Sequence, residues 1–142
     1  MAAKERWATE AEEKDRVAAA TYLSLLAGEA SVASIGDALR RAPVVTHRAN
    51  DLLRASALPL LAADDPEVAK DLKKVKKGTR LAVVLLVRGQ LQEGRPLTVA
   101  DGYHRICASY HLDEDTPIPC QIADITAESR SGARRRPART TA

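Results

Sequence analysis

The chain has 142 residues, 45% of them hydrophobic, enough to bury one core without disulfide or metal staples. Its few rings, Trp7, Tyr22, Tyr103 and Tyr110 with no Phe, leave the core to Leu, Val, Ile and Ala. They also argue against the stacking platforms of single-stranded nucleic-acid binders. The net charge of +3 is split, because five arginines and no acid lie between 130 and 142, leaving residues 1–129 at −2.

No run of about 18 apolar residues is present to span a membrane. The start, "MAAKERWATEAEEKDR", is polar and acidic without an apolar signal core, so a cytoplasmic location is expected. Cys107 and Cys120 are too few for a disulfide scaffold and fit reduced thiols.

Three helices are expected first. Residues 10–27 follow Thr9 as N-cap and stop at Gly28, residues 34–42 end before Pro43, and residues 46–56 start on Thr46. Three short helices in a row suit a helix-turn-helix, but no basic recognition face accompanies them, so residues 1–56 read as a helical N-terminal extension for docking. Such an arm would serve a protein partner or self-association.

The pattern changes at Pro59. Asp65 caps a helix with Pro66 at its first position, Glu67 in its first turn and Gly78 past its end. Val68, Leu72 and Val75 make its inward stripe, while Lys70, Lys73, Lys74 and Lys77 share another face, solvated or in contact with phosphate.

"LAVVLLVR" (81–88) is a continuous apolar run, expected for a strand covered on both sides. A loop (89–96) leads to a strand (97–100), the turn "DGYHR" (101–105), a helix over about 104–112, and a last strand, "IPCQIA" (118–123). The order predicts a small α/β (α+β) domain over residues 57–126. Residues 127–142 are Arg-, Ala- and Thr-rich without apolar period and are expected to be a disordered basic tail, capable of weak, salt-sensitive DNA contact.

The turn carries the chemistry. A strand that feeds a helix start leaves backbone N–H groups unpaired at the positive end of the helix dipole, a ready anion site. Gly102 permits the sharp turn and close approach of a ligand, and His104 and Arg105 fall in the first helical turn, where a guanidinium forks onto phosphate oxygens. Asp101 suits a metal ligand, a general base or an orienter of His104. The plainer alternative makes Asp101 a cap and Arg105 half of an ion pair. His104, Cys107 and His111, with Cys120, are zinc-type ligands, but seven helical residues rise about 10.5 Å, too far for both histidines to share a simple site.

With these residues in place, the segment from Leu58 to Asp124 resembles the ParB/sulfiredoxin-like superfamily. The resemblance rests on Leu58-Pro59, Asp65-Pro66, "VVLLVR", "LTVA", "DGYHRICASYH" and "PIPCQIA", in the order sulfiredoxins place L-P, D-P, strand, strand, G-G-C-H-R and I-P. ParB proteins carry G-E-R-R at this turn, and free-serine kinases of the superfamily carry D-G-H-H-R.

The resemblance implies a turn that cradles the phosphates of ATP or CTP, with Mg²⁺. Gly102, Tyr103, His104 and Arg105 would bind the nucleotide, and Asp101 and His104 would be catalytic, Asp101 also as metal ligand. Tyr103 stands where sulfiredoxins place their nucleophilic Cys, and a phenol cannot replace a thiolate there. Val68 stands where they place a phosphate-binding Lys, a role left to Lys70 or Arg88. Two functions are expected: nucleotide-dependent phosphoryl transfer, or a non-catalytic nucleotide-binding regulator, with DNA association as a further alternative.

Overall fold

Val84–Val87 (β2) is buried on both faces, as its unbroken apolar run requires, and the rest of the molecule is layered around it. The computed structural model describes residues 6–125; the expected tail at 127–142 lies outside them. The elements are α1 (Glu13–Leu23), α2 (Glu29–Arg41), β1 (Val45–Arg48), α3 (Ala49–Ser56), α4 (Pro66–Lys76), β2, β3 (Thr98–Asp101), α5 (Tyr103–Leu112) and β4 (Pro117–Ala123). They form a small α/β fold with a four-stranded mixed sheet in the order β1-β4-β2-β3. β2 and β4 are parallel, pairing Leu86 with Ile122, and the outer pairs are antiparallel.

Alternation along the strands sorts the core into two layers. Val84, Leu86, Ile118 and Cys120 pack under α3, α4 and α5, around Leu52, Val68 and Ile106. Val83, Leu85, Val87 and Ala123 face α1 and α2, meeting Ala19, Leu23, Ile35 and Leu39. The N-terminal helices therefore cover one face of this chain's own sheet. No helix among the described residues is long and apolar enough to cross a membrane.

The second half of the chain follows local signals closely. Asp65 Oδ2 accepts from the Glu67 and Val68 N–H groups, and Pro66 opens α4. The first half departs from them. Thr46 does not cap a helix: Val45–Arg48 is an edge strand whose residues pair with Pro117–Cys120, and the helix starts at Ala49. The β-branched residues after Pro43 find their partner strand far along the chain, which no local pattern announces. The first N–H groups of α3 are met from that same neighbourhood, Ala49 by the Thr116 carbonyl and Asn50 by that of Glu114.

Nor does Gly28 stop α1. That helix ends at Leu23, and Gly28 is the N-cap of α2, which begins five residues earlier than expected. Thr9 is likewise not the cap of α1, a position held by Glu12.

Two glycines separate the demands of backbone and space. Gly36 lies inside α2, and a methyl group added there would meet nothing within 4 Å, whereas Gly102 has φ +114° and its Cβ would stand 2.7 Å from Val84 Cγ2. Gly36→Ala is expected to stabilise the fold by about 0.5–1 kcal/mol. Gly102→Ala is expected to cost about 2 kcal/mol or more, because buried Val84 cannot retreat. Chemical denaturation of the two variants, read as opposite shifts of the midpoint, checks both.

Candidate functional site

β3 delivers the chain to the start of α5 through Gly102, whose left-handed backbone makes the reversal. The first helical bond is Ile106 N–H to the Gly102 carbonyl, and no side chain among the described residues caps the helix. The N–H groups of Tyr103, His104 and Arg105 thus precede the first intrahelical bond and lie at the positive end of the dipole. On the Cβ side of Gly102 the room is taken by Val84 and by Arg105 Nη2, so protein rather than a ligand fills that approach.

Arg105 does not stand free at the surface. Its Nη2 donates to Asp101 Oδ2 at 2.7 Å, the i, i+4 partner in sequence, and its Nη1 lies 3.5 Å from Asp15 Oδ2 of α1. The contact with Asp15 is an ion pair without hydrogen-bond geometry, and Arg105 Nε is buried without a partner among the described residues. Only 15% of the Arg105 side chain is exposed, so these charges meet where screening is weak.

A third carboxylate belongs to this centre. Asp71 on α4 is buried, 3.7 Å from Lys74 Nζ, and feels the charges of Lys74, Arg105 and His104. Burial pushes the Asp71 carboxyl above the ordinary range, against the pull of those cations. Burial does the same to Asp101, opposed by Arg105 and reinforced by Asp15. Asp101, expected as a base or metal ligand, is held by Arg105 in this structure.

The other expected residues sort by position. Tyr103 Oη donates to the Pro59 carbonyl at 2.5 Å, its ring lies 5.6 Å from that of His104, and burial raises its phenol above the usual range. His104 is half-buried beside it. Lys70 is exposed and lies 3.6 Å from Glu67, while Lys74, one turn on, is the lysine directed at Asp71.

Arg88 is not brought to the turn. Asp101 is opposite Leu85, and Arg88 follows three residues further along the neighbouring strand, about 10 Å away. There it pairs with Asp124.

The zinc-type residues are also dispersed. Cys107 and Cys120 are buried thiols pushed upward by burial, Cys120 to about 12, and His111 Nε2 lies 2.7 Å from the Leu61 carbonyl oxygen. Among the described residues no group of three or more His, Cys, Asp or Glu side chains is arranged to hold a metal ion.

Asp15 and Asp71 are the charged residues that the motif alone did not reveal. Each had a signal in the sequence. Asp15 continues the four-residue spacing of Ala11, Ala19 and Leu23, and Asp71 falls three residues after Val68 and four before Val75. An acid on an apolar stripe needs a cation, and here Asp15 meets Arg105 while Asp71 lies against Lys74 and feels the field of Arg105. No protein-family model, curated protein or solved structure matches this chain.

Folded Asp71 and Asp101 bind their protons more readily than an unfolded Asp does. Between the ordinary carboxyl range and the raised folded one, the native state holds more protons, so stability falls as pH rises through that window. Asp71→Asn is expected to flatten this fall, measured as melting temperature from pH 4 upward. Arg105→Ala strands two carboxylates and is expected to cost about 3–5 kcal/mol in denaturant unfolding.

Proposed function

We propose that the Asp101–Arg105 turn binds the phosphates of a nucleotide, ATP or CTP, as a recognition element rather than a site of turnover. The observation that carries this reading is the start of α5, uncapped among the described residues, beside a guanidinium whose Nε has no partner among them. An oxyanion there would accept the N–H groups of the first turn, take the spare donors of Arg105, and stand within reach of His104.

Recognition without turnover is favoured by the state of Asp101. Phosphoryl transfer needs a carboxylate available as base or as ligand for the Mg²⁺ that a nucleotide brings, and Asp101 already accepts the short bond from Arg105. Asp65 is likewise committed to its cap and Glu67 lies against Lys70. Asp71, the remaining acid of α4, is buried and lies 3.7 Å from Lys74 Nζ.

Asp15 sets the conditions for binding. It faces Arg105 Nη1 where an incoming phosphate would draw the same group, so ligand and α1 compete for one guanidinium. The N-terminal helices would report occupancy to a protein partner or a second copy in this way. Association with DNA through the arginines beyond residue 129 is the alternative, and it would follow salt and the tail instead of the turn.

A thermal-shift series with the four nucleoside triphosphates and inorganic phosphate, each with and without Mg²⁺, tests the reading. Saturating ATP or CTP is expected to raise the melting temperature by about 5 °C or more. Arg105→Lys, which keeps the charge but loses the fork, should lose most of that shift, and Asp15→Asn should enlarge it. No ADP or CDP should form on prolonged incubation. Melting temperatures unmoved by every ligand would overturn phosphate recognition, and steady product formation would overturn a purely binding role.

A further inference from the structure

At the opposite end of β2 from the turn, a cleft of about 530 Å³ opens between α3 and the segment joining β2 to β3. We propose that it is a binding site for a small amphipathic carboxylate, an apolar body ending in one anionic group. The volume falls within the range of small-molecule sites, which combine an apolar lining with a few convergent polar groups.

The floor is apolar and preformed. Leu52 from α3, Leu86 from β2 and Ile122 from β4 line it, with Leu97 at the return of the loop. The loop itself is pinned at both ends. Gln90 and Arg95 exchange backbone bonds of 2.9 and 3.0 Å, and Leu97 N–H donates to the Ala55 carbonyl on α3. Gly89 is packed so closely that a Cβ there would stand 2.4 Å from the Arg95 carbonyl oxygen, which fixes the fold-back of this segment. Leu91, at the loop's tip, lines the cleft yet is 97% exposed, an apolar side chain left open to solvent by the described residues.

The rim is cationic. Arg54, Arg88 and Arg95 line the cleft with His47, against Asp51 as the one lining carboxylate. Each guanidinium has an acid nearby: Arg54 Nη1 lies 3.3 Å from Asp51, Arg95 Nη1 lies 3.4 Å from Glu93, and Arg88 bonds Asp124. All three pairs are solvent-exposed, so they exchange at little cost. A carboxylate seated over the apolar floor would meet the exposed guanidiniums of the rim, whose planar fork matches its two oxygens. A cationic or neutral amphiphile finds the floor but not the rim.

The probe is 2-naphthoate, with 2-naphthol as its neutral counterpart, titrated into the ¹⁵N-labelled full chain and followed by amide chemical shifts. Saturable shifts are expected in residues 52–57 and 86–97. Binding of 2-naphthol should be weaker by about tenfold, the worth of one charge-assisted contact, and Arg88→Ala combined with Arg95→Ala should weaken 2-naphthoate by a similar factor. Absence of saturation, equal affinity for the two probes, or shifts centred on residues 101–106 would each overturn the proposal. Should the double variant fail to fold, the comparison of the two probes on the wild-type chain decides alone. Shifts at 101–106 produced by ATP but not by 2-naphthoate would support the phosphate reading independently, so the two sites fail or stand separately.

Discussion

Arg105 is a cation drawn largely out of water, and the layers of this fold meet around the need to compensate it. Desolvating a guanidinium costs several kcal/mol unless carboxylates close the deficit. Asp101 does so from the strand before the turn and Asp15 from the helix on the opposite face, while Asp71 adds its field from α4. One charge thus links β3, α5 and α1 and is felt on α4, while Ala19 and Leu23 seat α1 on the sheet through the apolar core.

The same compensation is incomplete, and that shapes what the turn is able to do. Among the described residues Nε of Arg105 and Oδ2 of Asp15 are buried without hydrogen-bond partners, and Asp101 and Asp71 are raised by burial despite the cations beside them. A network left partly unsatisfied in a low-dielectric setting is sensitive to any added anion or proton. Gly102 holds this arrangement in place, since its φ and the proximity of Val84 leave no room for a side chain.

The turn and the cleft are two electrostatic regimes at the two ends of one buried strand. Around Arg105 the charges are few, desolvated and fixed by packing, so an anion must compete with residues that also hold the fold together. Around Arg88 and Arg95 the charges are exposed and weakly paired above an apolar floor, so a ligand is able to displace their partners without loosening the core. Arg88, expected near the Asp101–Arg105 turn, belongs to the second regime because strand register carries it away from Asp101.

Elements whose causes lie within a few residues of them were legible in the chain before any fold was known. Asp65-Pro66 starts α4, the apolar run at 81–88 contains a strand covered on both faces, shorter than the run at Val84–Val87, and the glycine in "DGYHR" turns strand into helix. Caps, periodicity and positive-φ glycines act over one turn or one strand, so they need no distant partner. Packing between layers settled the rest: Val45–Arg48 is a strand because β4 lies beside it, and Arg105 answers to Asp15 on a helix from the start of the chain. Pairings over such separations depend on which faces the helices bring together, and no local pattern encodes that. The acids on the stripes of α1 and α4 announced that cations were needed, and packing decided which: Arg105 for Asp15 and Lys74 for Asp71.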